Sequence, residues 1–178
     1  MTTMSVVRPW GRLSDSDLDF ASADSAMGHA ADLALGVAMA RPERKVVCLN
    51  GDGSMLMCLG TLATAVDAGA TNYVLVVCDN GVYEITGRQP VAGARHLDWT
   101  AMAEAAGFRH VFRFEEPRMW ASAVPEILTL SGPTFVHALV EAGDEGPIGR
   151  TPDEPARYLQ YSLADWSRIV RSALGSPS

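Results

Sequence analysis

The chain has 178 residues, a formal net charge of −7, 48% apolar residues and 20% charged residues. This length and composition predict a single globular domain with a substantial core and exclude a disordered segment. Binding a nucleic-acid backbone needs a concentrated positive surface, and the 14 basic residues form no block, so no nucleic-acid partner is expected. No apolar run reaches the roughly 18 residues of a membrane span, and the N-terminus lacks a secretory signal. We therefore expect a cytoplasmic protein without membrane contact.

Helix-like and strand-like segments alternate along the chain. In chain order we predict a helix over 27–40, a strand over 46–49, a helix over 54–70, a strand over 73–78, a helix over 98–106, a weaker strand over 111–114, a helix over 117–130, a strand over 134–140 and a helix over 163–174. The strands are continuously apolar, which is typical of parallel strands covered on both faces. The predicted fold class is α/β, a doubly wound, mainly parallel sheet flanked by helices.

The C-terminal part of the chain is expected to leave this sheet. Residues 141–155 are rich in Gly, Pro and acidic residues, which is typical of an extended arm. We predict one domain over 1–178, in which 141–178 form a C-terminal arm and helix.

The cysteines and histidines show no spacing typical of a zinc or redox site. No CxxC pair is present, and no two histidines are four residues apart. We expect reduced thiols packed in the core at Cys48, Cys58 and Cys78.

The most informative segment joins a buried strand to a helix through Asn50, Gly51, Asp52, Gly53 and Ser54. Glycines let backbone N–H groups approach an anion, and a helix that begins near Ser54 adds unsatisfied N–H groups, so this turn predicts a phosphate site. Asp52 would repel a phosphate unless a cation lay between them, which indicates a divalent ion such as Mg²⁺. Asp52 is therefore a candidate metal ligand.

Asn80 follows the next predicted strand. Neighbouring parallel strands end at the same edge of a sheet, so we expect Asn80 beside Asp52, with backbone carbonyls available from residues 82–87. The third glycine of a dinucleotide fingerprint is missing, and the chain contains no GxxxxGK[ST] motif, so those two cofactor modes are disfavoured. A tight strand-to-helix turn with Asp52 as a polar cap is the alternative interpretation.

These two motifs resemble the signature of the thiamine diphosphate enzymes, in which GDG is followed at this spacing by Asn. Here 26 residues separate Gly53 from Asn80. More narrowly, segments 25–30 and 80–90 resemble the diphosphate-binding domain of phosphonopyruvate and sulfopyruvate decarboxylases, which is a separate small subunit in sulfopyruvate decarboxylase. The resemblance covers about residues 19–161.

The resemblance implies thiamine diphosphate and Mg²⁺ as cofactors. The residues that it assigns to cofactor binding are Met27, Gly28, Gly51, Asp52, Gly53, Ser54, Asn80 and Val82. Among these, Asp52, the Asn80 side chain and the Val82 carbonyl would bind the metal, and Met27 would support the bent shape of the cofactor. His29 and Glu84 are the titratable groups nearest to the predicted site and are candidate catalytic proton shuttles.

The resemblance further implies decarboxylation of a small anionic 2-oxo acid of the sulfopyruvate or phosphonopyruvate type. In these enzymes a glutamate on another domain activates the pyrimidine ring of the cofactor, so a separate pyrimidine-binding partner subunit is expected. A domain that holds half of a cofactor site has an exposed apolar face to cover, so we expect a self-dimer through this domain, joined by two partner chains. The alternatives are a carboligase or oxidoreductase subunit with the same cofactor, and a non-catalytic subunit with an incomplete site.

The sequence departs from the family pattern at two places. The family has an extra strand and helix before the Met-Gly turn, whereas the residues before Asp19 carry no strand-like run, which predicts an incomplete site or an element supplied by the partner. Arg88 occupies a position where close relatives have glycine in a Thr-Gly-Gly-Gln segment. Its guanidinium is either a partner for an anionic substrate group or an ordinary exposed side chain.

Overall fold

The computed structural model describes residues 2–22, 27–94, 96–144 and 160–175. The strands are β1 (Thr2–Thr3), β2 (Ala21–Ser22), β3 (Val46–Gly51), β4 (Tyr73–Asp79), β5 (Val82–Tyr83), β6 (Gln89–Pro90), β7 (His110–Phe114) and β8 (Thr134–Leu139). The α-helices are α1 (Val7–Leu13), α2 (Ala30–Ala40), α3 (Asp52–Met57), α4 (Thr61–Asp67), α5 (Trp99–Ala106), α6 (Pro117–Ile127) and α7 (Leu163–Leu174). Short 3₁₀ turns occupy Met4–Val6 and Glu84–Thr86.

Six of these strands form one parallel sheet in the order β2, β1, β3, β4, β8, β7. Strands β3 and β4 pair in register from Val46 opposite Tyr73 to Gly51 opposite Cys78. Both strands therefore end at the same edge of the sheet. Strands β5 and β6 form a separate antiparallel hairpin just after β4.

Helices cover both faces of this sheet, which confirms the predicted fold class. On one face, α2, α3, α4 and α5 bury their apolar side chains against residues such as Leu75 and Phe135. On the other face, α6 packs against Val74 and Val136. Helices α1 and α7 form a further cluster with β2, centred on the fully buried Trp166.

The predicted strands and helices are confirmed with small changes of bounds, with one exception. The predicted helix over 54–70 is two helices, α3 and α4, because Cys58 leaves the helical region with φ −127° and ψ 45°. The predicted helix over 27–40 begins only at Ala30, since Gly28 has a φ of 93°. A left-handed residue cannot continue a right-handed helix.

The expectation that no strand precedes Asp19 is wrong. Thr2 pairs in parallel with both Ala21 and Leu49, and α1 follows after the short 3₁₀ turn. Two polar residues carry no hydrophobic pattern, so β1 could not be predicted from periodicity. A strand and a helix before the Met-Gly turn are thus present in this chain.

The C-terminal prediction is tested only in part. Helix α7 has the predicted bounds, and residues 141–144 form neither helix nor strand. The remainder of the predicted arm, 145–155, lies outside the described residues. Within the described ranges, no helix combines the length and apolarity needed to cross a membrane.

Candidate functional site

A cavity of about 340 Å³ lies at the edge of the sheet where β3, β4 and β8 end. Eight of the ten predicted site residues line it, namely Met27, Gly51, Asp52, Gly53, Ser54, Asn80, Val82 and Glu84. Ser5, Val6 and Pro9 contribute from the N-terminal segment, and Glu141 and Gly143 contribute from the segment after β8. The parallel register of the strands brings these separate loops together.

Asp52 and Asp79 share one hydrogen-bond donor. Asp52 is only 3% exposed, and its Oδ2 accepts from the Gly81 N–H at 3.0 Å. The Oδ1 of Asp79 accepts from the same N–H at 3.2 Å. The Gly81 carbonyl in turn accepts from the Val91 N–H at 2.9 Å, which ties the hairpin to this point. The ends of β3 and β4 are thereby joined beside the cavity.

The two carboxyl groups have opposite pKa shifts. Burial raises the pKa of Asp52 to about 6, and the negative charge of Asp79 adds to this shift. The hydrogen bond to His137 lowers the pKa of Asp79. Asp52 in its ionised form is therefore a buried charge beside a second carboxylate, an arrangement that favours a bound cation.

Asn80 is held by the loop that follows it. Its Oδ1 accepts from the Val82 N–H at 3.0 Å, and its Nδ2 donates to Glu84 Oε2 at 2.9 Å. These bonds keep the Asn80 amide oxygen close to the Val82 backbone, and they connect Asn80 to the candidate proton shuttle Glu84.

Gly28 and Ser54 connect the Met-Gly turn to the GDG turn. The Gly28 N–H donates to Ser54 Oγ at 3.0 Å. A Cβ atom on Gly28 would lie 3.1 Å from Cys58 Sγ, and the left-handed φ already disfavours any other residue there. Met27 lies in the cavity wall, and the neighbouring Gly28 is buried.

His29 lies outside the cavity lining. Its ring is exposed, with Nδ1 2.7 Å from Asp32 Oδ2 and 4.0 Å from Cys58 Sγ. The structure thus brings Glu84, but not His29, to the cavity, and a catalytic role of His29 stays a prediction.

Gly53 is in close contact with the ring of Tyr83. A Cβ atom on Gly53 would lie 2.3 Å from Tyr83 Cε1, a distance that no real contact allows. Gly51 is different, because a Cβ atom there would meet nothing within 4 Å. The second glycine of the GDG turn is therefore required for the packing of β5, which carries Val82.

Arg88 has a φ of 60° and is the one non-glycine residue with a left-handed backbone among those described. This conformation explains why glycine suits the position. Its guanidinium Nη1 donates to the Gly143 carbonyl at 2.6 Å, and Gly143 lines the cavity. The described lining includes Asp52, Glu84 and Glu141 and no Lys or Arg, so Arg88 brings positive charge to an acidic rim.

Desolvation keeps two of the three thiols protonated. Burial raises the pKa of Cys48 to about 12 and that of Cys78 to about 11, so neither forms a thiolate near neutral pH. All three cysteines are free, but only Cys48 is fully buried, whereas Cys58 and Cys78 are partly exposed, so the expected core packing is confirmed for Cys48 alone.

Sequence reasoning missed Asp79 and His137. Asp79 directly precedes Asn80 at a strand end, so the argument that selected Asn80 applies equally to it. His137 interrupts an otherwise apolar strand run, and a buried titratable residue in such a run is a signal in its own right. The N-terminal lining residues carried no comparable signal.

The donor set fits a magnesium ion and its diphosphate ligand. Asp52, the Asn80 amide oxygen and the Val82 carbonyl are all hard oxygen donors. Among the described residues, no three His, Cys, Asp or Glu side chains form a metal-binding group. An ion at this site would therefore combine one carboxylate with neutral oxygens and with phosphate oxygens, which is typical of Mg²⁺.

Comparison with known proteins gives matches over most of the chain. The model of the C-terminal thiamine pyrophosphate-binding domain of thiamine pyrophosphate enzymes matches residues 12–138. A phosphonopyruvate decarboxylase from Streptomyces hygroscopicus is 35% identical over 179 residues, which cover 98% of this chain and 43% of that protein. A sulfopyruvate decarboxylase subunit beta from Methanothermobacter thermautotrophicus is 41% identical over 118 residues, which cover 66% of this chain and 60% of the relative. The matched region is thus less than two thirds of either relative.

The fold matches solved structures as well. The thiamine diphosphate-dependent 4-hydroxybenzoylformate decarboxylase of Rhodococcus jostii RHA1 superposes with a TM-score of 0.57 over 67% of this chain and 24% of that one. At 23% sequence identity this match supports the fold alone.

We predict that Asp52→Asn stabilises the metal-free chain at alkaline pH. The pKa of Asp52 is about 6 when folded against an ordinary 3.8, so its protonation stabilises the fold below pH 3.8, and this contribution is lost as the pH rises through 6. Removing the buried charge should raise the free energy of unfolding at pH 8 by on the order of 1–2 kcal/mol, measured by urea unfolding in EDTA.

The gain should shrink at pH 5, and Asp67→Asn, at an exposed carboxylate, should show no such change. An Asp52→Asn variant that is less stable than the wild type at pH 8 would contradict the assignment.

We predict that Gly53→Ala is far more damaging than Gly51→Ala. The Gly53 variant must displace the Tyr83 ring and should lose roughly 1–3 kcal/mol of stability, whereas the Gly51 variant has free space. Urea unfolding of the two variants tests this difference, and equal losses would show that Tyr83 does not pack on Gly53.

Proposed function

The chain belongs to the thiamine pyrophosphate enzymes, and we propose that it is the diphosphate-binding part of a thiamine diphosphate- and Mg²⁺-dependent decarboxylase of a small anionic 2-oxo acid. One observation carries this proposal: a single cavity collects Asp52, Asn80 and Val82, the three residues whose oxygens the family motif assigns to the metal. The names of the two relatives, a phosphonopyruvate and a sulfopyruvate decarboxylase, support the substrate class.

In this proposal, the residues of the GDG turn hold the charged end of the cofactor. Asp52, Asn80 and the Val82 carbonyl bind Mg²⁺, and the backbone at Gly51, Gly53 and Ser54 faces the diphosphate. Ser54 also fixes Gly28 through its hydroxyl, so the diphosphate turn and the Met27 side chain keep a constant relative position. Such fixed positioning of reacting groups is a large part of enzymatic rate enhancement.

Thiamine diphosphate, when bound, supplies an electron sink for the carbon that loses CO₂. Glu84 lines the cavity, and because Asn80 donates only to its Oε2, Oε1 is the atom that we assign to proton transfer. Val6, Ile85 and Val140 add apolar side chains to the cavity wall, and these exclude water from the reacting groups.

A separate pyrimidine-binding partner subunit completes the site in this proposal, and its glutamate activates the cofactor. The subunit name of the sulfopyruvate decarboxylase relative supports a two-chain enzyme. Residues 1–178 would then form one cofactor-binding domain with 141–178 as its arm and helix, and two copies would dimerise within the heteromer. The N-terminal residues in the cavity wall favour a competent site over a non-catalytic subunit.

We predict that this chain binds thiamine diphosphate and Mg²⁺, measured by calorimetric titration alone and after mixing with a pyrimidine-binding partner. The mixture should release CO₂ from sulfopyruvate or phosphonopyruvate. Asp52→Ala should abolish binding, since the one carboxylate ligand is lost, whereas Asp67→Ala should bind normally.

Two outcomes would reject the proposal. One is an absence of cofactor binding both alone and in the mixture, and the other is binding that Asp52→Ala leaves unchanged. Product analysis with an added acceptor aldehyde distinguishes a decarboxylase from a carboligase.

We predict that Arg88→Gly raises KM for a 2-oxo acid with a second anionic group, such as sulfopyruvate, by roughly 10- to 100-fold and leaves KM for pyruvate unchanged. Pyruvate lacks the second anionic group, and one charge-assisted hydrogen bond is worth about 1.5–3 kcal/mol. Glycine suits the left-handed backbone at this position, so the variant should fold normally. An equal change of KM for both substrates would show that Arg88 does not contact the second anionic group.

A further inference from the structure

His137 is a buried polar residue in the middle of an apolar strand. It lies on β8 with 3% of its surface exposed, next to the fully buried Val136. Its Nε2 is 2.8 Å from Asp79 Oδ2. Its Nδ1 is buried and has no hydrogen-bond partner among the described residues. The ring therefore makes one polar contact, and that contact is with Asp79.

The direction of this hydrogen bond follows from the state of Asp79. A carboxylate offers only acceptor oxygens, and both oxygens of Asp79 face nitrogen atoms: Oδ1 faces the Gly81 N–H and Oδ2 faces His137 Nε2. The proton consequently lies on His137 Nε2, which donates to Asp79 Oδ2. Asp79 Oδ1 is then left to accept from the Gly81 N–H.

Gly81 is the residue through which this contact reaches the candidate metal site. Its N–H lies between Asp79 Oδ1 and Asp52 Oδ2, and its φ of 71° sets the direction in which the chain leaves β4. Asn80 precedes Gly81 and Val82 follows it. A rotated Asp79 carboxylate would release one of the two acceptors that hold this turn.

We propose that His137 is a positioning residue of the metal site, which fixes Asp79 and thereby the turn that presents Asn80 and Val82 to the ion. The identity of the ion as Mg²⁺ is taken from the proposed function. The positioning role itself requires no change in the protonation of His137 during the reaction. Replacing a residue whose hydrogen bonds orient metal ligands typically weakens metal affinity 10- to 100-fold.

A merely structural role would have a different signature. His137 would then serve to fill space in the sheet, and its replacement would change the stability of the whole fold without a special effect at residues 80–82. Two amide variants separate these roles, since the Gln side-chain nitrogen can occupy the place of His Nε2 and the shorter Asn side chain cannot.

The experiment compares His137→Gln, His137→Asn and the wild-type full-length chain by two measurements. The first is amide hydrogen exchange in EDTA. Exchange at Gly81 and Val82 should accelerate about tenfold or more in His137→Asn and stay near the wild-type rate in His137→Gln, with the amides of β3 as the internal reference for global stability. The second is calorimetric titration of Mg²⁺ in the presence of thiamine diphosphate. The dissociation constant should rise at least tenfold in His137→Asn and less than threefold in His137→Gln.

Equal behaviour of the two variants in both measurements overturns the proposal. If His137→Asn does not fold, His137→Gln alone decides, because failure of Gln to keep wild-type exchange at Gly81 rejects the hydrogen bond as the cause. A wild-type chain that binds neither Mg²⁺ nor thiamine diphosphate overturns the proposed function instead, and the exchange measurement, made without metal, still decides the role of His137.

Discussion

The Gly81 N–H lies between two carboxylates, and the geometry of the candidate site depends on this shared hydrogen bond. Asp52 begins α3 and Asp79 ends β4, so the bond joins the two neighbouring strand ends of the parallel sheet. One N–H cannot neutralise two negative groups, and burial of Asp52 increases the cost of its charge. The metal-free site is therefore electrostatically unfavourable, and a divalent cation bound by Asp52 would relieve it. The stability of the metal-free chain and the proposed binding of a cation are therefore opposed at Asp52, as is common at functional sites.

Other elements of the fold complete the cavity around this shared hydrogen bond. The hairpin of β5 and β6 is fixed by the Gly81 carbonyl and by the contact between Tyr83 and Gly53. The N-terminal 3₁₀ turn and the segment after β8 close the cavity from two other directions. Each of these pieces follows or precedes a different strand of the parallel sheet, and Arg88 adds a direct link from the hairpin to Gly143 after β8. Loops that are distant in sequence therefore form one cavity in a small domain.

Continuous apolar runs were sufficient to predict the central strands, and the strand-end argument placed Asp52 beside Asn80. The family predicted from those motifs is confirmed by the match over residues 12–138. The prediction failed where local pattern carries no information. A two-residue strand such as β1 is too short to show a periodic pattern. The helix break at Cys58 is a change of backbone angles, and no Gly or Pro occupies that position to predict it. The role of His137 depends on a partner 58 positions away in sequence, which spacing rules cannot find.

The order of strands in the sheet has a consequence for how the protein acquires its shape. Val46 pairs with Tyr73, Thr2 with Leu49, and Val74 with Thr134, so every central pairing joins distant parts of the chain. Folds dominated by such non-local pairing form slowly, because chain entropy is lost before the contacts are made. The cavity needs the ends of β3, β4 and β8 together with Ser5, Val6 and Pro9, so it can exist only after all of these segments have been synthesised and paired. Capture of a cofactor would therefore mark the completion of folding, and a nascent chain that stops before β8 would have no site to occupy.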